Sequence, residues 1–344
     1  DNFVIEEIPS CFAPTVTAPS NLSGESATVN WTEPSPAPTN GYEWEIRLAT
    51  DLNPGAASPV TNGSVGFGVV TDNTGATDLT PLTDYVVYVR SDCGGSGYSA
   101  WDGPYSFTTP CAPEVAPTVV QDFSTFTGSA PSPVCWTEGS GAVGTPSTVT
   151  ITNSEWLDDD FGNTGTNNSF RTNLYGNDAS DWMISQQIDL GVTPSLYRVK
   201  YNMAVTSYSG TTTQSTLGTH NVHVIVSQDG GSTWNAADII RTYTGAGTYS
   251  NTGSVETINL TGYSGVVKIA FVAVTTSYSP DINFYVDDFV VEEIPSCFAP
   301  TVTALTNLTG TSATVNWTAP SPVPSNGYEW EIRLASDLNP GAAS

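Results

Sequence analysis

Basic residues are scarce in this chain: eight Lys and Arg stand against 34 Asp and Glu, for a formal net charge of −26. Such a surface repels phosphate backbones and anionic lipid, so nucleic acid is excluded as a partner and membrane insertion is not expected. No run of about 18 apolar residues occurs, and so no segment reads as a spanning helix. Nowhere do apolar residues keep a helical period over three turns, which removes amphipathic helices from the expected architecture. Histidine occurs only as His220 and His223. An H-x-x-H pair on a strand sends its rings to opposite faces, which suits neither a shared metal nor a catalytic couple. A Gly-rich phosphate loop, a G-x-S-x-G elbow and a C-x-x-C pair are all missing. Catalysis by two carboxylates is not excluded by composition, since Asp and Glu are plentiful.

What the chain does have is Thr, Val, Tyr and Trp in alternating runs, cut by turn residues at short intervals, together with 31 Gly and 24 Pro. That pattern predicts an all-β protein.

It also has a repeat. Residues 1–58 align without a gap onto residues 287–344, an offset of 286, with ten differences in 58 positions. The stretch Glu6-Glu7-Ile8-Pro9-Ser10-Cys11-Phe12-Ala13-Pro14-Thr15-Val16-Thr17 returns unchanged as Glu292 to Thr303. Near-identity at fixed spacing predicts a tandem array. The chain is therefore expected to be a window of about 1.2 periods from a longer polymer. One period carries Cys11, Cys93, Cys111 and Cys135, and Cys297 is the next copy of Cys11. Disulfides would place the protein outside the cytoplasm, and residue spacing alone leaves all three pairings open.

Residues 10–110 read as one sandwich. Ala27, Val29 and Trp31 share a strand face, and Asn40-Gly41 signals a turn. Tyr42, Trp44, Ile46 and Leu48 then alternate with Glu43, Glu45 and Arg47. Leu79-Thr80-Pro81-Leu82-Thr83-Asp84-Tyr85 has the spacing of a tyrosine corner, whose hydroxyl bonds back to the turn backbone. Trp31, that corner and the closing Tyr105-Ser106-Phe107-Thr108-Thr109 together resemble a fibronectin type III domain. The resemblance implies that Cys11 and Cys93 lie at one pole and Cys111 at the other, roughly 30 Å away. A disulfide needs Cα atoms within about 7 Å. The pairs it implies are Cys11–Cys93 and Cys111–Cys135, with Cys297 unpaired in this window.

Residues 111–294 read as a larger second domain. Strands are predicted at 181–185, 197–205, 221–227, 255–260, 266–274 and 284–292. Pro133-Val134-Cys135-Trp136-Thr137, Asp181-Trp182-Met183-Ile184-Ser185, Lys268-Ile269-Ala270-Phe271 and Tyr285-Val286-Asp287-Asp288-Phe289 resemble the jelly-roll modules of the MAM and cleaved-adhesin type. One departure is that Asp122-Phe123 is followed by Ser124, where such modules often carry an acid. Residues 1–9 are expected to be the last strand of a preceding jelly roll, and residues 295–344 the first part of the next fibronectin-like domain. A fragment of about 50 residues cannot bury a core alone, so its edges need completing.

Several groups could carry function. Asp158, Asp159 and Asp160 form the densest acidic cluster and, with Asp287 or Asp288, could offer oxygen ligands to a structural calcium ion. The alternative is a solvated acidic loop, since the D-x-D-x-D-G spacing is missing. Ser227 to Trp234 matches the S-x-D-x-G-x-x-W hairpin known as the Asp box, in which Asp229 would bond turn amides and Trp234 pack beneath. Trp31, Trp44 and Trp182 are in core phase. Trp101, in a Gly-rich loop, and Trp156, beside the acidic cluster, are the glycan-stacking candidates, followed by Tyr208, Tyr249 and Tyr278. Sequons occur at Asn21, Asn62, Asn167 and Asn259.

The function expected is a non-enzymatic extracellular fibre or giant adhesin stalk, attached to a bacterial outer membrane. Its partners would be neighbouring repeats, other copies in a fibre, and surface glycans or substratum. Such alternation resembles large adhesins exported by gliding or host-associated Gram-negative bacteria through the type IX pathway. The alternative is a carbohydrate-binding accessory region of a secreted hydrolase. Pro295 should stiffen the link between modules.

Overall fold

The computed structural model describes residues 11–124, 133–164, 168–192, 194–212, 216–295, 297–321 and 323–336. The strand expected within residues 1–9 lies outside them. The chain divides into two compact units, Asp1–Glu292 and Glu293–Ser344. Both are built from strands, so the protein is all-β; among the described residues the only helical elements are single 3-10 turns.

The first unit opens with a sandwich of two antiparallel sheets. Strands β1 (Thr15–Ser20), β2 (Thr28–Thr32) and β5 (Thr71–Asn73) make the smaller sheet. The larger runs in the order β4 (Thr61–Val65), β3 (Gly41–Leu48), β6 (Asp84–Asp92), β7 (Asp102–Thr108). Register sets Trp44 opposite Val89 and Ile46 opposite Val87, so one face of β3 and β6 meets Val29 and Trp31 of the smaller sheet. Gly63 of β4 is paired with Trp44 of β3, and a Cβ added there would lie 2.6 Å from the indole. The Tyr85 hydroxyl accepts a hydrogen bond from the Thr80 amide at 2.9 Å, tying the β6 start to its turn.

The outer face of β3 departs from simple alternation. Leu48, in core phase, is exposed at the strand end, while Glu45 and Arg47 are 4% and 1% exposed. The loop of residues 49–60 folds over them: the Arg47 guanidinium bonds Glu45 at 2.8 Å and Asp51 at 2.6 Å, and the Gly55 amide donates to Glu45. Strand periodicity separates the two faces of a sheet, but it does not say which face a loop will cover.

Two short strands follow, β8 (Glu114–Val115) and β9 (Val120–Gln121), and lead into a second, larger sandwich. Its further strands are β10 (Thr137–Ser140), β11 (Thr150–Ile151), β12 (Trp156–Asp160) and β13 (Asn168–Ile184). Next come β14 (Ile188–Asp189), β15 (Tyr197–Ser207), β16 (Asn221–Ser227) and β17 (Ile239–Tyr243). The last are β18 (Ser254–Asn259) and β19 (Val266–Glu293).

Two long strands, β13 and β19, pair along their length and belong to both layers. Their pairing slips between Leu174 and Gly176 and again between Asn177 and Ala179, where the ribbon bends from one layer to the other. Residues 266–274 and 284–292, predicted as two strands, are thus one. The polar residues between them keep an extended backbone and remain paired through Thr275, Thr276 and Ser277. Phe170, Met183, Val224, Phe271 and Phe284 fill the core. A smaller apolar cluster, Trp182 with Trp234, Ile225 and Val272, lies on the outer side of one layer.

Cys11 is joined to Cys93, with Cα atoms 5.8 Å apart, and Cys111 to Cys135, 5.9 Å apart. Disulfides of this kind belong to an oxidising, extracytoplasmic setting. Among the described residues no helix is long and apolar enough to cross a membrane, which says nothing of a strand-built barrel.

The second unit pairs β20 (Thr301–Val302) with β21 (Trp317–Thr318) and holds a bridge between Thr306 and Thr314. Trp330 and Ile332 repeat Trp44 and Ile46 of the first copy in sequence, yet are 61% and 68% exposed against 2% and 0%. Cys297 is free and exposed.

Candidate functional site

The best-formed surface feature around a sequence-predicted residue is the cleft at Trp101. A hairpin from Cys93 to Asp102 brings Tyr98 and Trp101 back over β6, where they enclose the Arg90 side chain. The guanidinium carbon lies 3.9 Å from the Tyr98 ring centre and 4.5 Å from that of Trp101. Arg90 also donates to Glu43 from Nε at 2.9 Å and Nη2 at 2.6 Å, a geometry that fixes the fork from one side and the rings from the other. The Tyr98 phenol is held above its ordinary pKa, first by its hydrogen bond to Glu43. On the far side, Gly55 of the covering loop approaches Trp101 Nε1 so closely that a Cβ there would lie 3.0 Å from it.

The result is a cleft of about 380 Å³ bordered by Trp101, Arg90, Glu43, Glu45, Asn62 and Ser64. It offers a partly exposed aromatic ring held rigidly, flanked by amide, hydroxyl and carboxylate groups. Both carboxylates are engaged, Glu43 by Arg90 and Glu45 by Arg47. An aromatic face flanked by such groups can hold a hydroxyl-rich ligand.

Trp156 is not a second such platform. It is 0% exposed, packs edge-on to Phe170 with ring centres 5.0 Å apart, and donates from Nε1 to the Asp181 carbonyl. The acidic residues after it mark the outer end of β12, whereas Trp156 itself lies on the core face opposite Thr172.

The five Asp expected to hold calcium are not brought together. Asp159 is ion-paired to Arg171 at 2.8 Å, and strand alternation sends it to the opposite face from Asp158 and Asp160. Asp287 is buried and accepts from the Asp288 amide at 2.7 Å, and Asp288 has a φ of +50°. Among the described residues no group of three or more His, Cys, Asp or Glu is placed to hold a metal. The donor set therefore does not fit the ion.

Elsewhere, Asp229 accepts from the Thr233 amide and hydroxyl and from the Ser227 hydroxyl, at 2.8, 2.6 and 2.7 Å. These bonds, that from the Thr233 hydroxyl foremost, lower its carboxyl to a pKa of about 2. Trp234 is buried against Trp182. His220 is buried and accepts from the Thr276 amide, whereas His223 faces Thr242. Tyr249 is bonded to the Thr244 backbone. Tyr208 is exposed, and Tyr278 is exposed in an edge-to-face pair with Tyr175. Asn167 lies outside the described residues.

No family profile matches the chain, and no curated protein does. Among solved structures, the K1 cleaved adhesin domain of Lys-gingipain from Porphyromonas gingivalis is similar at 13% identity and a TM-score of 0.36, over 52% of this chain and 98% of that one. TmCBM61, determined with beta-1,4-galactotriose, is similar at 13% identity and a TM-score of 0.31, over 50% of this chain and 94% of that one. The glycoside hydrolase domain of Endo-D from Streptococcus pneumoniae is similar at 13% identity and 0.35, over 64% of this chain and 36% of that one. Scores this low say nothing of what the chain binds.

Proposed function

We propose that this chain is a stretch of a non-enzymatic extracellular stalk: a bacterial surface fibre or repeat adhesin in which fibronectin-like and jelly-roll sandwiches alternate. The observation that carries the reading is the ten-difference match of residues 1–58 to residues 287–344. A stalk gains length from repetition, and a catalyst has no use for it. In the polymer, Cys297 would pair with the next copy of Cys93. Outer-membrane attachment and a role in adhesion or gliding belong to the same proposal. The test is the mass of the native polypeptide, detected with an antibody to the larger sandwich. Several 286-residue units are expected; a single unit fused to a catalytic domain would overturn the stalk.

A second reading has its own observation. The Trp101 cleft, with its ring clamped by Arg90, favours a glycan contact on each repeat, as in an accessory module of a hydrolase. Glycan-array binding by the wild type that is lost in Trp101→Ala would support it; binding unchanged by that substitution would remove it.

A further inference from the structure

Of the eight Lys and Arg, seven are ion-paired: Arg47, Arg90, Arg171, Arg198, Lys200, Arg241 and Arg333. In a chain so rich in acid, this is what chance proximity would give. Lys268 is the exception, with no carboxylate or hydrogen-bond partner among the described residues. It lies on β19 opposite Ser227, and its stem crosses Gly231 of the Asp-box turn. Gly231 has a φ of +99°, and a Cβ there would lie 2.8 Å from Lys268 Cδ. The turn thus keeps a lane open for this side chain. Burial holds its ammonium below the ordinary lysine pKa, and no neighbouring charge opposes that.

The lane opens into a cleft of about 510 Å³ where the first sandwich meets the second. Pro110 and Pro113 form apolar walls, and Ser23, Thr137 and Gln187 supply hydroxyl and amide groups. No Asp or Glu lines it. A partly desolvated cation with no counter-charge is destabilised, and an arriving anion would offset that.

We propose that this cleft binds the carboxylate of a single uronic acid residue in an otherwise neutral glycan, since a polyanionic chain would meet the repulsion that excludes nucleic acid. A single ammonium is a point charge that one carboxylate neutralises, and the cleft has no Arg fork to grip a phosphate bidentately. The strongly negative chain also disfavours a dianion over a monoanion. The pyrrolidine rings suit the C–H face of a pyranose, and the polar side chains suit its hydroxyls. The site is separate from the Trp101 cleft and does not depend on it.

The chain has only two lysines, Lys200 and Lys268, so lysine-selective ¹³C,¹⁵N labelling of the full chain gives two side-chain signals. Lys200, bonded to Glu292 at 2.8 Å, is the internal control. Galacturonate should move the Lys268 signal saturably and leave that of Lys200 in place, and the shift should persist in Trp101→Ala. Galactose and acetate should each bind at least about tenfold more weakly, and isothermal titration calorimetry should show the same loss for galacturonate with Lys268→Gln. No response to galacturonate would overturn the proposal. Equal affinity for galactose would overturn carboxylate recognition, and equal affinity for acetate would reduce the site to one for any small anion and overturn the sugar.

Discussion

Two aspartates in the larger sandwich carry opposite pH signatures. Asp181 on β13 is nearly buried, and desolvation pushes its carboxyl up to about 6. An acid raised above its unfolded value of about 3.9 adds stability that is full below that value and lost as pH rises through 6. Asp181→Asn should therefore stabilise at pH 7.5 by roughly 1–3 kcal/mol, with little gain at pH 4, as read from urea midpoints. Asp229 is lowered to about 2, so its contribution is present above about 4 and lost as pH falls through 2. Asp229→Ala should cost roughly 1–2 kcal/mol at neutral pH in the same measurement. The Asp229 hairpin is legible in the sequence because all its partners lie within a few residues of it. The burial of Asp181 and the isolation of Lys268 are not, because both depend on neighbours distant in the chain. Trp156 misleads for the same reason: three acids follow it, while the ring packed against it, Phe170, comes from β13.

At the scale of elements, the strands were readable wherever apolar and polar residues alternate, as in β2, β3 and β16. The continuous run of β19 was not, since a polar middle reads as a loop until β13 is there to pair with it. The cover over Glu45 and Arg47 was equally hidden. It gives a sharp expectation: Arg47→Ala strands a buried carboxylate and should cost roughly 3–5 kcal/mol, whereas Glu45→Leu with Arg47→Met should cost far less. Calorimetric melting of the two variants checks this. The Cys11–Cys93 bridge closes a sequence separation of 82. Replacing both residues with Ser should destabilise the first sandwich by roughly 4 kcal/mol on the chain-entropy estimate, measured by denaturant unfolding.

For the whole molecule, repetition outweighs any single site. Glu292, the second copy's equivalent of Glu6, is bonded to both Arg198 and Lys200 and anchors the end of β19. Electron microscopy of native filaments tests the stalk most directly. A thread with a regular axial period, one bead pair for each 286 residues, is the expected result. A compact particle with no axial period would contradict it.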